Sequence, residues 1–252
     1  MNVLSAKGLT KVYGTKNPGS SKTALNGIDL VVRSSEFVGI MGPSGSGKTT
    51  LLNLLAGLDQ ATSGELWIQD TNMSKCTPEQ MAVLRRKSIG FVFQDYNLLD
   101  TLTLFENVTL PLALDGQRGK KVNQRAEELL EYFGLRDVMR QYPYEVSGGQ
   151  QQRTAVARAL IHNPALILAD EPTGNLDSGS ARSLLELFQR LNQENGTSIL
   201  LVTHDPFSAS YCQRIVFIRD GSVFANLEKA DSRESFFREI LDTLGVLEGT
   251  QQ

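Results

Sequence analysis

The chain has 252 residues, 40% of them hydrophobic, enough to bury a full core in one domain at the upper end of the usual size. A formal net charge of −3 leaves no basic excess, which argues against a dedicated nucleic-acid binder. Cys76 and Cys212, the two cysteines, lie far apart at no metal-binding or redox spacing, so the chain reads as a reduced protein of the cytosol.

The start, MNVLSAKGLTKVYG, lacks the apolar stretch of a signal peptide, and no later run approaches the ~18 apolar residues of a membrane helix. Residues 1–40 alternate and turn like strands, VLSAKGLTKVYG and ALNGIDLVV around the loop GTKNPGSSKT, which predicts an antiparallel sheet. EFVGIMG is a buried strand running straight into a glycine loop. KTTLLNLLAGL is the helix that follows, with Leu51, Leu52, Leu54 and Leu55 as its apolar face. IGFVFQD is another strand, and the region from Tyr96 to Asn163 reads as mainly helical, with VNQRAEELLEYFG an amphipathic helix ending at Gly134. ALILADEP is a fully buried strand, ARSLLELFQRLNQENG a helix stopped by Asn195 and Gly196, TSILLVTHD a strand, and RIVFIRDGSVFAN a hairpin turning at Asp220 and Gly221. Strands alternating with helices predict a mostly parallel α/β sheet with a helical insertion.

Residues Gly42 to Thr49 fit G-x-x-x-x-G-K-[ST] in the strand–loop–helix context that motif requires. The loop Gly42, Pro43, Ser44, Gly45, Ser46, Gly47, with Lys48, Thr49 and Thr50 opening the helix, is expected to cradle phosphates with backbone N–H groups. Lys48 neutralises β- and γ-oxygens, and the Thr49 hydroxyl takes a Mg²⁺. LILADE, residues 166–171, ends a buried strand in two carboxylates. Asp170 is placed to hold Mg²⁺ through water, and Glu171 to orient or deprotonate an attacking water. Gln94 ends the strand GFVFQ and His204 the strand ILLVTH, and carboxyl ends of parallel strands share one crevice with the phosphate loop. His162, in HNPA, reads as surface loop. A second candidate anion site lies in VSGGQQQRTAVARAL, where Ser147, Gly148 and Gly149 form a side-chain-poor loop ahead of a run of strong helix formers.

These motifs together resemble the ATP-binding subunits of ABC transporters, over essentially the whole chain. VSGGQ is similar to the family's LSGGQ signature, with Val146 in the usual Leu place and Ser147, Gly148, Gly149 and Gln150 matching. Tyr13 matches the aromatic residue that stacks on adenine, Gln94 the Q-loop, Asp170 and Glu171 the Walker B pair, Gly174 to Asp177 the D-loop, and His204 the switch histidine. The resemblance implies an ABC ATPase fold in one ATP-binding domain. Residues 1–94 and 164–225 would hold a P-loop core and an N-terminal antiparallel β-subdomain, 95–163 an inserted helical subdomain, and 226–252 a C-terminal helix and tail. It implies an ATPase with Glu171, His204, Gln94 and Lys48 as the catalytic set and Thr49, Gln94 and Asp170 around Mg²⁺. It also implies a second copy of the chain, each signature loop covering the γ-phosphate held by the other's glycine loop. That would explain why one chain carries two anion-binding ends.

Finer resemblance, through ADEPTGNLD, is to the macrolide and lipoprotein-release transporters. FVFQDYNLLDTLTLFENVTLPL, THDPFSASYCQRIVFIRDG and FFREILDTLGVLEGTQQ look most like Bce-type ATPases of bacitracin-like antimicrobial-peptide resistance and sensing. The implied partners are a polytopic permease, which would hold the subunit at the cytoplasmic face of the membrane, and through it a sensor histidine kinase. Tyr96, Leu98, Leu99, Leu102 and Phe105 are expected to form a groove for a permease helix. Phe236, Phe237, Ile240, Leu241 and Leu244 form one helical face expected to pack on this subunit, and Arg85 to Lys87 a solvated helix end. A divisome-type regulator that relays force without moving solute fits the same motifs. Repair and chromosome-organising relatives do not, since the interval from Gln94 to Ser147 has no room for a coiled-coil or zinc insertion, and a small-molecule kinase leaves SGGQ unexplained.

Overall fold

A computed structural model describes residues 1–14 and 21–249; most of the loop predicted after Tyr13 and the terminal Thr250–Gln252 lie outside them. In chain order come β1 (Asn2–Tyr13), β2 (Lys22–Arg33), β3 (Phe37–Met41), α1 (Lys48–Leu55), β4 (Ser63–Ile68), β5 (Thr71–Asn72), α2 (Pro78–Ser88) and β6 (Ile89–Val92). There follow α3 (Leu104–Leu114), α4 (Lys120–Tyr132), α5 (Gly148–Leu160), β7 (Leu166–Asp170), α6 (Ser178–Asn195) and β8 (Ser198–Val202). The short α7 (Pro206–Ala209), β9 (Arg214–Arg219), β10 (Ser222–Glu228) and α8 (Arg233–Gly249) complete the described chain.

The alternating strands β1 and β2 pair antiparallel, and β4 and β5 extend them into a sheet of order β2-β1-β4-β5. The second sheet runs β10-β9-β3-β8-β7-β6 and is parallel except for the β9–β10 hairpin. Asp220 and Gly221 turn that hairpin, both at positive φ as a tight primed turn requires. The central strands FVGIM, LILAD and SILLV are apolar nearly throughout because both faces of this sheet are covered. Phe37, Met41, Ile167, Ala169, Ile199 and Leu201 point into a core shared with α3–α6 and α8. Val38, Ile40, Leu166, Leu168, Leu200 and Val202 point the other way, onto α1 and the antiparallel sheet.

Local signals set the helix ends. Thr103 and Glu106 form a capping box at α3, Asp177 accepts two N–H groups at α6, and Gly196 ends α6 at φ 65°. Ser147, expected in a loop with both glycines, is the N-cap of α5, and Gly148 and Gly149 lie within its first turn. Residues 59–88, which carry little periodicity, hold β4, β5 and α2. α2 ends just after Arg85–Lys87, as expected of a helix end, and has no buried residue.

Four expectations need correction. Phe105 is core, only 7% exposed, because α3 turns it inward; of the predicted groove Tyr96, Leu98 and Leu102 are half-buried and Leu99 is exposed. Leu241 is also exposed: the face of α8 that packs is Phe236, Ile240, Leu244 and Leu247, and burying each of its fully buried large side chains stabilises by about 1.5–3 kcal/mol. His162 is not surface loop; its side chain is mostly buried, with Nε2 3.6 Å from Asp115 Oδ2. Finally, the β9–β10 hairpin continues to Glu228, so the C-terminal helix begins at Arg233 rather than near 226.

Candidate active site

Parallel pairing sets Ile40 and Asp170 opposite Val202 on its two sides, so the segments leaving β3, β8 and β7 emerge together at one sheet edge. After β3 comes the glycine loop, closed by Gly47, the N-cap of α1, at φ 105°. A Cβ on Gly47 would sit 2.6 Å from the Ala24 carbonyl oxygen, and one on Gly42 2.1 Å from that of Ile218; the loop is wedged against backbone at distances only glycine allows. No side chain caps α1 and no acidic residue stands in its first turn. Its first N–H groups are therefore available to an anion.

The Lys48 ammonium folds over the loop, donating to the Gly42 and Pro43 carbonyls at 2.7 and 2.9 Å. Burial pulls its pKa down, against the opposing pull of Glu171 and Asp170. Asp170 closes β7, and burial followed by the Glu171 charge pushes its carboxyl up, partly offset by Lys48. Glu171 sits at φ 45°, a left-handed conformation costing a non-glycine residue about 1–3 kcal/mol and found where geometry serves a site. Its Oε1 accepts the His204 backbone N–H at 2.9 Å and lies 2.7 Å from His204 Nδ1. The Glu171 side chain is 18% exposed and that of His204 76%, so the carboxylate is inside and the imidazole at the rim. Gly42, Lys48, Thr49, Asp170, Glu171 and His204 line one cavity of about 580 Å³.

The oxygens in this cavity suit a triphosphate with Mg²⁺. Ser46 Oγ is buried with no protein partner, beside an uncapped helix end and a desolvated ammonium, a donor set for phosphate. The Thr49 hydroxyl and Asp170 carboxylate are hard oxygen donors of the kind Mg²⁺ takes, and the cavity holds no thiol or cluster of soft ligands.

Other expected site residues stand apart from this cavity. Gln94 lies two residues beyond β6 with its Nε2 donating to Asn175 Oδ1 at 3.2 Å, and it is not among the cavity's lining residues. Tyr13, at the end of β1, donates its O–H to Asp59 Oδ2 at 2.8 Å under the Lys11 ammonium, 4.7 Å from the ring centre. Burial pushes the Asp59 carboxyl up, but hydrogen bonds from Lys11, Tyr13 and the Gln60 N–H, with the Lys11 charge, leave it below its usual range. Thr50 follows Thr49 in α1. Ser147 and Gln150 cap the N-terminus of α5 reciprocally, next to Gly148 and Gly149, away from the phosphate cavity.

Two sets of residues make contacts that a reading of motifs does not give. Leu244 and Leu247 of α8 form an apolar wall of the cavity that Lys48 and Glu171 line. Their i, i+3 spacing was visible, but not the surface they would meet. Asn175 bridges Gln94 and Asp95 by side-chain hydrogen bonds. Its place inside GNLD was the available signal.

Residues 25–174, more than half of the chain, match the family model described as ABC transporter. The chain is 53% identical over 249 residues to the ABC transporter ATP-binding protein YvcR of Bacillus subtilis, covering 99% of this chain and 96% of that one. It is 46% identical over 252 residues to the bacitracin export ATP-binding protein BceA of Halalkalibacterium halodurans, covering 100% and 99%. Among solved structures it is similar to the dimeric post-hydrolysis state of the ATP-binding cassette MJ0796 bound to ADP and Pi, with a TM-score of 0.80 and 40% identity over 91% of this chain and 100% of that one.

Proposed function

Because this chain belongs to the ABC transporter family, as an ATP-binding subunit with ATPase activity, we propose that two copies close head to tail on two ATP molecules and drive a separate membrane permease that handles bacitracin-like peptides. The observation that carries the catalytic part is the Glu171 carboxylate, gripped by His204 at the mouth of the cavity that Lys48 and Thr49 line. In this reading the α1 N–H groups and Lys48 bind the phosphates, and Tyr13 stacks on the adenine. Thr49 and Asp170, joined by Gln94, would hold Mg²⁺, which when bound supplies charge neutralisation at the β- and γ-oxygens. Glu171 aligns a water and takes its proton, and His204 keeps the carboxylate turned into the cavity. Ser147, Gly148, Gly149 and Gln150 contact the partner's nucleotide, which agrees with the dimeric form of the MJ0796 cassette. Closure on ATP and opening after hydrolysis then do mechanical work on the permease.

The permease is supported by the transporter relatives and by the chain itself: among the described residues no helix is long and apolar enough to cross a membrane. The peptide assignment is supported by full-length similarity to the bacitracin export protein. Docking is assigned to the surface around Leu99, 48% exposed, and the stacked Tyr142–Tyr144 pair ahead of the signature, both beside the helical region. Leu99→Glu should abolish permease pull-down and peptide resistance while ATP binding survives, because a charge there must be desolvated on docking. An intact complex would reject the docking surface. Unchanged peptide sensitivity on deleting the whole gene would reject the substrate and favour a force-relaying regulator.

A further inference from the structure

The segment Gln94–Asn97 follows β6 beside the first turn of α5, and its backbone is strained at Tyr96 and Asn97. Tyr96 at φ 59° and Asn97 at φ 49° are consecutive left-handed residues. Asparagine tolerates this conformation, but a tyrosine adopts it only where its surroundings impose it. The surroundings are specific. Arg158, near the C-terminal end of α5, donates from its guanidinium to the Tyr96 carbonyl at 2.8 Å and to the Asn97 carbonyl. Burial pulls the Arg158 pKa down, and among the described residues it makes no ion pair. A half-buried cation whose hydrogen bonds go to two backbone carbonyls holds those carbonyls in place, and that is where its value lies.

The same segment is tied at its other end. Tyr96 Oη donates to the Asn175 carbonyl at 3.3 Å and stands 2.8 Å from where a Cβ on Gly148 would be, against the first turn of α5. Asn175 in turn donates to the Gln94 carbonyl at 3.3 Å and to Asp95 Oδ1 at 2.8 Å, and accepts from Gln94 Nε2. One continuous network thus joins the Gln94 side chain, the D-loop segment and both ends of α5.

We propose that Tyr96, Asn175 and Arg158 are positioning residues that lock the Gln94 segment to α5, so that the half-site a copy offers its partner's ATP and the glutamine beside its own ATP move as one body. The inference rests on the two-copy reading above. In this arrangement α5 cannot tilt to meet a partner's nucleotide unless residues 94–97 travel with it, and the strain at Tyr96 is what the two anchors impose.

The test uses the full chain carrying Glu171→Gln, ATP with Mg²⁺, sedimentation to follow the dimer, and amide exchange to follow residues 95–98 and 148–152. Without further change, both segments should become protected together as ATP traps the dimer. Adding Arg158→Met, or Tyr96→Phe, should leave 148–152 protected on dimer formation while 95–98 stays open, and should raise the ATP needed for half-dimerisation about fivefold. Tyr96→Phe removes only a hydroxyl and should keep its melting temperature within about 2 °C, separating loss of the lock from loss of fold. If Arg158→Met does not fold, Tyr96→Phe decides alone. Simultaneous protection of both segments in the variants, at unchanged ATP, overturns the proposal. No dimer and no protection of either segment even without the second substitution overturns the two-copy reading and this inference with it; a dimer with uncoupled segments before any second substitution overturns this inference only.

Discussion

The two glycine-bearing helix ends are built to opposite plans. At α1 the N-cap is Gly47, no side chain caps the first turn, and a buried Ser46 hydroxyl and the Lys48 ammonium stand beside it. At α5 Ser147 and Gln150 satisfy each other's backbone N–H groups in a capping box, and Tyr96 leans on Gly148. The first end is a receptor left unsatisfied by its own chain. The second is stable as it stands, which suits a surface completed only when another molecule arrives. The contrast teaches that the glycine count of a loop says little about its task; what matters is whether its donors are already used.

The largest expected effect separates chemistry from binding at the first end. Glu171→Gln should lower kcat for ATP hydrolysis on the order of 10³-fold, since the amide keeps the shape gripped by His204 but cannot take a proton. ATP affinity by calorimetry should stay within a few-fold. Full turnover in this variant would remove Glu171 from its role. Next, Lys48→Ala should weaken ATP binding roughly 100-fold, because the phosphates lose a half-buried charge-assisted partner and the Gly42 and Pro43 carbonyls lose their donor. Near-normal affinity would mean that the uncapped helix end suffices without the ammonium.

The second end should respond differently. Ser147→Ala should leave ATP binding by the monomer untouched, weaken the ATP-trapped Glu171→Gln dimer about tenfold, and lower the melting temperature by about 2–4 °C through loss of the cap, worth ~1 kcal/mol. If monomer affinity fell instead, the two ends would not be as independent as their geometry makes them. The smallest effect lies beside Tyr13. Asp59 is held below its usual range in the fold, so its contribution is fully present above the unfolded carboxylate pKa and fades as pH falls through the folded one. Asp59→Asn should therefore cost no more than about 1 kcal/mol at neutral pH, with the difference from the unmodified chain shrinking in acid titrations followed by circular dichroism.

What could be read from the sequence is what short-range chemistry dictates. Gly42 to Thr49 reads as a phosphate loop because its glycines lie between a strand and a helix; LILADE delivers two carboxylates because four apolar residues bury the strand that ends in them. Gly134 and Gly196 stop their helices at positive φ where the periodic pattern ends. In each case the constraint acts within a few residues, so it leaves its mark in consecutive letters.

The remainder depends on partners distant in the chain. Gln94 was expected at a strand end beside the phosphates, and folding instead gives its amide to Asn175, 81 residues on. Phe105 joins the core because the rotation of α3 against α5, not local hydropathy, chooses the buried face, while Leu99, ahead of α3, stays exposed. His162 turns toward Asp115, and Leu244 and Leu247 of α8 become a wall of the cavity beside the glycine loop. The sequence by itself determined the two glycine-bearing helix ends, the paired carboxylates and the alternation of strand and helix, since backbone conformation and burial period are local properties. Tertiary structure decided which of those ends stays unsatisfied, what holds Glu171 in place and what encloses the cavity, since hydrogen-bond partners and packing faces are fixed only when distant segments meet.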